Sequence, residues 1–347
     1  MKWTFNIYSN WEEIWSKTHL NRWNIIMDTS PNAHVFFHPS LVKAWIDTYL
    51  PLRELTPIFV WGKCVDGNEI FLPLVLWKKN WKNAFLKTIV PVGYSDYDYH
   101  EPIFKENIVE FELFWKELLS FLQNHYRTDI ISLTGIRQKF IDSSCEWQQG
   151  EACPYLSLEN IHNNEDLMKF FKTSLRGDIR RQIRRLSELG EINLKEYHTF
   201  SDISETFPIF MKEHRLKWPN ACKAPHFHEN LLNDKLLKQT VHFSSLNIDD
   251  KPIAWHLGFN YKKTYYYYMP AGNYEYASYS PVKVHLYFLL DRAVRLKYHK
   301  YDHLRGEENY KAGWSNGCDY IFDYNSYSHK TISKLKLNFI NLLKHRI

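Results

Sequence analysis

A β-hairpin pattern that occurs once in each half of the chain is the feature that most constrains its fold. Residues 56–77 hold two runs of β-favouring residues joined by Asp66-Gly67-Asn68, a turn whose Asp-Gly pair readily adopts positive φ angles. Residues 241–260 repeat the pattern around a turn at 249–252. A chain of 347 residues has room for two domains of about 100 to 200 residues each. The recurring hairpin therefore predicts two domains with a shared order of elements.

Helical and strand patterns around the hairpins extend this prediction. In the first half, the spacing of apolar residues predicts helices at 37–49 and 109–126 and a short strand at 129–133. The second half reads as a helix, a long basic helix, a strand, a helix, the hairpin, a helix and a final strand. Both halves therefore predict an α+β fold.

A polar and irregular segment at 136–154 separates the two halves. It marks the predicted domain boundary, which gives an N-terminal domain at 1–150 and a C-terminal domain at 151–347.

Composition and charge narrow the class of protein. With 44% hydrophobic residues and 22 Phe, 23 Tyr and 13 Trp, the chain has ample apolar material for packed cores, which argues against disorder. The formal net charge of +5 suits an anionic small molecule as well as it suits RNA. Charge alone therefore does not identify the ligand.

The spacing of the cysteines and the length of the apolar runs indicate the cellular compartment and whether any segment spans a membrane. The five cysteines include no Cys-x-x-Cys pair, so we expect reduced thiols and no metal site. The first 15 residues lack a continuous apolar stretch, so we expect no secretory signal and a cytoplasmic protein. The longest apolar run, 70–77, is far shorter than the roughly 20 residues that span a bilayer, so we expect no membrane span.

Short sequence pieces in a fixed order carry a family resemblance over residues 35–325. They are Phe37-His38-Pro39-Ser40 with Trp45, Phe71-Leu72-Pro73-Leu74, Gly93 to Pro102, Arg180-Arg181-Gln182-Ile183-Arg184-Arg185-Leu186, His214-Arg215-Leu216-Lys217-Trp218, Lys251-Pro252-Ile253-Ala254, Tyr279-Ser280-Pro281, and Asp302 to Lys311. Taken in order, these pieces resemble the FemAB-like branch of the acetyltransferase (GNAT) superfamily, of the CelD/BcsL type. The sequence departs from the family pattern at Val282, because a glycine often follows the proline there.

The resemblance implies tandem GNAT-like domains with mixed β-sheets flanked by helices. It also implies transfer of an acyl or aminoacyl group to an amine, with a coenzyme A thioester as co-substrate and no metal. Members of this wider group act on nucleotide-linked amino sugars, as in the anthrose pathway, or branch peptidoglycan with aminoacyl-tRNA. We therefore expect the first domain on the acceptor side and the second domain on the acyl-CoA side.

A loop rich in polar and aromatic residues follows Gly93. Acyl transfer to an amine needs a group that takes the amine's proton, and Asp96 is the first candidate for this base. The same loop offers residues that suit a sugar or nucleotide acceptor: Tyr94, Ser95, Tyr97, Asp98 and His100. A solvated turn rich in Asp is the structural alternative.

Pro281 opens a predicted amphipathic helix in the second half, directly after a strand and a loop. The free N–H groups of such a helix start bind phosphate well. We therefore predict that the pyrophosphate of coenzyme A contacts Ser280, Pro281, Val282, Lys283 and Val284. An ordinary helix start is the alternative.

Three further residues of the second half are candidates for catalysis. His214 lies on the apolar face of a predicted helix, where a packed core histidine is the alternative. Glu307 and Tyr310 follow a predicted strand that ends near Arg305-Gly306. Glu307 is a second candidate for the base and Tyr310 for the acid that protonates the thiolate, and a charged surface loop is the alternative.

An arginine-rich helix is predicted to carry its apolar face on Leu175, Ile179, Ile183, Leu186 and Leu189 and to end at Gly190. Its residues Arg180 and Arg184, together with Arg215 beside His214, are candidates for binding substrate phosphate, because the guanidinium fork matches phosphate oxygens. A solvated helix face is the alternative.

The leading hypothesis is an N-acyltransferase that moves an acyl group from acyl-CoA to an amino sugar carried on a nucleotide, by direct transfer in a ternary complex. A tRNA-dependent aminoacyltransferase of peptidoglycan synthesis is the first alternative, although no charged coiled-coil arm is evident in the second half. A non-catalytic RNA- or anion-binding protein is the second alternative. The sequence has no recognisable nucleic-acid motif, so we expect no nucleic-acid partner.

Overall fold

The computed structural model describes residues 2–78, 86–105, 111–141, 146–328 and 331–344. The chain forms two compact units: the first unit comprises 1–151 and 320–347, and the second unit comprises 152–319. Residues 320–347, which the sequence analysis places in the second domain, thus group with the first unit.

Thirteen strands, twelve α-helices and four short 3-10 helices are formed by the described residues. The strands are β1 Trp3–Tyr8, β2 Glu54–Cys64, β3 Glu69–Lys78, β4 Lys87–Pro91, β5 Ile103–Phe104, β6 Ile130–Arg137, β7 Gln148–Ser157, β8 Ile192–Tyr197, β9 Val241–Ile248, β10 Lys251–Tyr261, β11 Thr264–Gly272, β12 Lys300–Asp302 and β13 Gly317–Tyr327. The helices are α1 Trp11–Ile14, α2 Lys17–Thr29, α3 Pro39–Tyr49, α4 Phe111–His125, α5 Asn164–Phe170, α6 Thr173–Ser187, α7 Phe200–Ile203, α8 Phe207–Lys217, α9 Phe227–Leu231, α10 Asp234–Gln239, α11 Pro281–Arg295 and α12 Thr331–Lys344.

The sheet of the first unit is mixed. Its strand order is β1-β2-β3-β4-β6-β13, in which β4 and β6 run parallel and the other neighbours run antiparallel. Strands β2 and β3 form the predicted hairpin, and its turn holds Gly67 at a φ of +92°, which confirms that prediction. Strand β13 pairs with β6 from Ile321 to Tyr327, so this long-range pairing places the C-terminal segment in the first unit.

Most of the elements predicted for the first half are present. Helix α3 confirms the helix at 37–49, with Pro39 in its first turn and eight buried residues along it. Helix α4 matches the helix predicted at 109–126, of which 109 and 110 lie outside the described residues. The predicted strand at 129–133 is the start of β6. The segment at 136–154 is not wholly irregular, because β7 begins at Gln148.

The sheet of the second unit has the order β7-β12-β11-β10-β9-β8 and is also mixed. Strands β9 and β10 form the second predicted hairpin, which is thereby confirmed. Strand β11 runs parallel to β12, but the two pair only from Thr264 to Tyr266. Strand β11 continues to Gly272, so its last six residues run on beyond the pairing with β12. The sheet therefore opens between β11 and β12 after Tyr266.

Helix α6 is the predicted arginine-rich helix, and it packs against α11. Its residues Ile179 and Leu186 are fully buried, while Leu175 and Ile183 are partly buried against the core. The helix ends at Ser187, so Leu189 lies beyond it and is 45% exposed. The predictions that Leu189 belongs to the apolar face and that the helix continues to a C-cap at Gly190 were therefore wrong.

Three further observations concern the described residues only. No helix among them is both long and apolar enough to cross a membrane. Cys64, Cys153, Cys222 and Cys318 are free thiols, and Cys145 lies outside the described residues. Within the same ranges, no group of three or more His, Cys, Asp or Glu side chains is arranged to hold a metal ion.

Candidate functional site

A cleft of about 740 Å³ lies within the second unit at the start of α11. Its walls come from the C-terminal part of α8, the end of β11, the 3-10 helix Tyr274–Tyr279 and the first turn of α11. The lining is mainly apolar and includes Trp218, Ala271 and Val282. Sites for small molecules and cofactors have volumes of about 300 to 1,000 Å³, so this cleft is large enough for such a ligand.

The first turn of α11 borders this cleft with Ser280, Pro281, Val282 and Lys283, four of the five residues predicted to bind coenzyme A. Ser280 adopts the left-handed conformation with φ of 51°, and its carbonyl accepts from the N–H groups of Lys283 and Val284. Pro281 has no N–H, so Val282 supplies the one backbone donor of this described turn that lacks a backbone partner. The fifth residue, Val284, is fully buried in the core, and its side chain cannot reach a ligand.

Gly272 at the end of β11 explains how Val282 fits beside the strand. A Cβ atom placed on Gly272 would lie 2.5 Å from Val282 Cγ2, which is closer than real side chains approach. The glycine therefore lets the first turn of α11 pack directly on β11. Gly272 was not among the residues predicted from the sequence, although a glycine between a strand and a proline-started helix is the available signal.

Charged side chains surround the cleft. Lys283 Nζ donates to Asp178 of α6 at 2.5 Å, and this hydrogen bond is the main reason why the pKa of Asp178 is lowered. Lys217 lines the cleft and lies 4.4 Å from the centre of the Trp218 ring. The charge of Lys283 is balanced by Asp178, whereas Lys217 adds a positive charge to a lining that also contains Glu213.

His214 lies on α8 directly behind the wall of the cleft. It is 4% exposed, its Nδ1 donates to the carbonyl of Pro270 at 2.9 Å, and its ring stacks on Trp218. The hydrogen bond from Nδ1 makes Nε2 an acceptor, and Nε2 is buried without a partner. Burial lowers the pKa of His214, so the ring is neutral near pH 7. His214 is therefore a neutral imidazole beside the cleft, with one buried basic nitrogen that has no partner.

Glu307 and Tyr310 lie on the loop that follows β12 and not in the lining of the cleft. This loop folds around the buried ammonium of Lys311, which donates to the Arg305 carbonyl at 2.7 Å and pairs with Glu308 at 3.0 Å. Glu307 is exposed. Lys311, whose burial depends on these contacts, had no role predicted from the sequence.

The phenol of Tyr310 is close enough to Tyr267 of β11 to influence its pKa. Burial is the largest cause that raises the pKa of Tyr267, and the nearby Tyr310 is the second. Tyr310 itself is 39% exposed.

Asp96, the first candidate for the base, is buried inside the first unit. Its Oδ2 accepts from Trp45 Nε1 at 3.0 Å and from the Tyr49 hydroxyl at 2.7 Å, and both donors belong to α3. Burial and the adjacent carboxylate raise the pKa of Tyr49. These contacts attach the loop to α3, which is a structural role. The catalytic role of Asp96 stays a prediction.

The other loop residues predicted to meet the acceptor are mostly inside the first unit. Tyr97 is 1% exposed and donates to the Leu41 carbonyl, while Asp98 and His100 are also buried. Tyr94 and Ser95 alone in the described loop Gly93–Pro102 are partly exposed. We expected this loop to be exposed for binding, but most of it is packed inside the first unit. Tyr97 stacks on Phe36 and fills the space beside Gly93.

The arginines predicted to bind phosphate lie at the surface. Arg180, Arg184 and Arg215 are exposed and do not line the cleft. The half-buried Arg185 is nearer to it: it donates to the Ser278 carbonyl at 2.8 Å and lies over the Tyr279 ring. Arg185 therefore supports the segment that leads into α11.

Comparisons with known proteins agree with this architecture. Residues 173–312 match the family model described as an acetyltransferase (GNAT) domain. No curated protein matches the sequence. Among solved structures, the chain is similar to FemX, with a TM-score of 0.60 and 11% identity over 91% of this chain and 98% of that one.

Two other solved structures are similar over nearly the whole chain. One is the C-terminal DUF2156 domain of a putative lysylphosphatidylglycerol synthetase from Agrobacterium fabrum, with a TM-score of 0.55 and 10% identity over 93% of this chain and 95% of that one. The other is a tandem GNAT protein from the clavulanic acid biosynthesis pathway, with a TM-score of 0.50 and 11% identity over 95% of this chain and 99% of that one. At identities of 10 to 11%, the similarity shows a shared fold and nothing more.

The predicted fold of tandem GNAT-like domains with mixed sheets flanked by helices is confirmed. The GNAT domain match lies within the second unit, the unit that holds the cleft and His214. Residues 173–312 thus match a GNAT acetyltransferase domain, and this match supports an acyltransferase.

Proposed function

We propose that this protein transfers an acyl group from a coenzyme A thioester to the amine of an amino sugar carried on a nucleotide. The observation that supports it most is the neutral His214 with its unused Nε2 behind an apolar cleft at the start of α11. The amino sugar rests on the family resemblance of the sequence. The proposed location is the cytoplasm, which agrees with the free thiols among the described cysteines.

The donor is assigned to the second unit. The N–H of Val282, which has no backbone partner, and the ammonium group of Lys217 are suited to the pyrophosphate, and the apolar walls are suited to the pantetheine arm and acyl chain. The assignment of the acceptor to the first unit stays a prediction.

In the proposed reaction, the amine nitrogen attacks the thioester carbon and His214 Nε2 takes a proton from that nitrogen. The Pro270 carbonyl, which accepts from Nδ1, fixes the ring in the tautomer that can do this. The carbon–sulfur bond then breaks, the electron pair leaves on sulfur, and Tyr310 protonates the thiolate. Solvent then takes the proton of the imidazolium and returns one to the tyrosinate, so the products are an amide and a free thiol.

A thiol-trapping assay tests this proposal. Purified protein is mixed with acetyl-CoA and longer acyl-CoA donors against a panel of amino sugars, each free and nucleotide-linked. We expect thiol release that depends on the acceptor, with nucleotide-linked acceptors preferred. A burst of thiol without acceptor would contradict direct transfer, and the absence of turnover with every donor and acceptor would reject the proposal.

A further inference from the structure

A second cavity, of about 460 Å³, lies in the first unit. It is bordered by the last turn of α4, the loop that connects α4 to β6, the start of β6 and the end of β13. Its volume falls within the range of about 300 to 1,000 Å³ that is typical of small-molecule sites. It shares no described lining residue with the cleft of the second unit.

This cavity is also separate from the loop at 93–102 that carries the predicted acceptor residues. That loop meets β6 near the other end of the strand, where the N–H of His100 donates to the Gly135 carbonyl at 2.9 Å. Ile131, which lines the cavity, precedes Gly135 by four residues, or roughly 13 Å of extended strand. The cavity therefore belongs to neither of the regions considered above.

The described lining of this cavity is unusually polar. Seven of its eight residues carry a polar side chain, and Ile131 is the exception. The seven polar groups are five hydroxyls, one amide and the carboxylate of Asp129. A lining with one aliphatic residue gives an acyl chain few apolar contacts, so the cavity is unsuited to a lipid or a fatty acyl group.

The carboxylate of Asp129 is engaged with the protein itself. Its Oδ1 accepts from the Ser333 hydroxyl at 2.5 Å, while its Oδ2 accepts from the Lys87 N–H at 2.9 Å and from Lys336 Nζ at 3.1 Å. Burial raises the pKa of Asp129, but these hydrogen bonds together outweigh it and lower the pKa, so the group is ionised near pH 7. Because Lys336 balances this charge, the described lining offers no counter-ion to a phosphate, which favours a neutral ligand.

Other lining groups retain hydrogen-bonding capacity for a ligand. Gln123 Nε2 donates to Ser326 Oγ at 3.2 Å, which leaves the amide oxygen to accept and the Ser326 hydroxyl to donate. Tyr126 is partly buried, and no group among the described residues hydrogen-bonds to its phenol hydroxyl. The lining thus offers both donors and acceptors of hydrogen bonds.

Backbone pairing holds the walls of the cavity in place. The N–H of Asp129 donates to the Lys87 carbonyl at 2.8 Å, and the N–H of Ser328 donates to the Asp129 carbonyl at 2.9 Å. Ile131 and Ser326 are partners in the register of β6 and β13, so their side chains lie on the same face of the sheet. Walls fixed in this way lose little conformational freedom when a ligand binds.

A sugar ring meets these requirements, because it is neutral, carries hydroxyls along its edge and presents C–H groups on its faces. The rings of Tyr126 and Tyr327 provide apolar surface for such faces, while their hydroxyls remain polar. We propose that this cavity binds a neutral sugar residue, either free or as part of a larger carbohydrate. Such a site goes beyond the proposed function, because it involves neither the acyl donor nor the phosphates of a nucleotide-linked acceptor.

Nuclear magnetic resonance of the deuterated, 15N-labelled full chain tests this proposal. Glucose, N-acetylglucosamine and cellotriose are titrated in turn, and we expect saturable shifts of the amide signals of Thr128, Ser326 and Tyr327. Tighter binding of cellotriose than of glucose assigns the site to a polymer, and equal affinities assign it to a single sugar. Glycerol, which has hydroxyls but no ring, should cause no saturable shift.

UDP-N-acetylglucosamine distinguishes a neutral site from a nucleotide-sugar site. Because the described lining has no counter-ion for its diphosphate, we expect it to bind no more tightly than N-acetylglucosamine does. Tighter binding of the nucleotide sugar at the same amide signals would overturn the proposal of a neutral site.

Two tyrosine variants test the assigned contacts. We expect Tyr126→Phe, which removes a hydroxyl and keeps the ring, to weaken sugar binding by about threefold to tenfold through the loss of one hydrogen bond. Tyr327→Ala removes a ring and should weaken binding by a similar factor of about threefold to tenfold. Tyr320→Phe and Tyr320→Ala are the matched controls, since Tyr320 is another partly exposed tyrosine of β13 that does not line the cavity.

Thermal melting of each variant verifies that it folds. The proposal is overturned if no sugar causes a saturable shift, or if the shifts avoid 123–131 and 326–328. Equal affinities of the wild type, Tyr126→Phe and Tyr327→Ala would reject it as well, and so would saturable binding of glycerol at the same signals.

Discussion

Buried neutral histidines supply the unused acceptor atoms of the second unit. His214, His256 and His303 each donate from one ring nitrogen to a fixed oxygen and leave the other nitrogen without a partner. Burial lowers the pKa of all three, so each ring is neutral near pH 7 and can accept a proton or a hydrogen bond. Of these, His214 lies directly behind the wall of the cleft, and this position makes it the proposed base.

We expect His214→Gln to lower kcat by about 100-fold or more, because a general base contributes roughly 10² to 10⁴ to the rate. Glutamine retains a donor for the Pro270 carbonyl, so the melting temperature should change little. Steady-state kinetics from pH 6 to 9 and thermal melting measure the two effects. The exposed His198→Gln is the control, and a wild-type kcat for His214→Gln at every pH would exclude His214 as the base.

Asp96→Asn separates a catalytic from a structural role for that carboxylate. A base role predicts a loss in kcat of about 100-fold or more at an unchanged melting temperature. The two hydrogen bonds from Trp45 and Tyr49 favour the other result, namely a loss of about 1 to 3 kcal/mol in stability with kcat preserved in the folded fraction. Glu307→Gln, on an exposed side chain, is the parallel test of the second candidate base.

At the scale of elements, the start of α11 is the most testable part of the donor site. Ser280 has a left-handed backbone conformation that Asp and Asn both tolerate, so Ser280→Asp adds a negative charge with little strain. We expect Ser280→Asp to abolish the rise in melting temperature that coenzyme A produces, by repulsion of its phosphates, while Ser280→Asn retains it. Equal stabilisation of both variants by coenzyme A would place the donor elsewhere.

Local sequence signals predicted the elements of this fold better than the environment of its side chains. The Asp-Gly turn of the first hairpin and the proline at the start of α3 act within a few residues, and both are found as expected. The burial of Asp96 depends on Trp45 and Tyr49, about fifty positions away. Such contacts have no local pattern, so the sequence could indicate a polar loop but not that the loop is packed inside.

At the scale of the whole molecule, the chain enters the second unit within β7 and returns to the first unit within β13. Strand β13 pairs with β6, and the carboxylate of Asp129 then accepts from Ser333 at 2.5 Å and from Lys336 at 3.1 Å on α12. The first unit is therefore completed by the end of the chain. Sequence order alone suggested two consecutive domains, because pairing across nearly two hundred residues leaves no local signal.

The stability of both units depends on pH because both contain buried histidines. Burial lowers the pKa of His34 in the first unit and of His303 in the second to about 4, and lowers the pKa of His228 and His285 to about 3. The unfolded chain takes up protons below its histidine pKa of 6.5, while the folded rings stay neutral until about pH 4. Stability is therefore complete above pH 6.5 and falls as the pH is lowered towards 4.

We expect each of these four histidines to reduce the free energy of unfolding by about 2 kcal/mol on going from pH 7.5 to pH 5. Urea denaturation at a series of pH values measures this, and the slope of stability against pH gives the number of protons taken up on unfolding. His34→Gln and His303→Gln should each lower that number by about one between pH 6 and 5. A slope near zero between pH 6.5 and 5 would show that these rings are protonated in the folded protein, which would contradict the neutral state assigned to them.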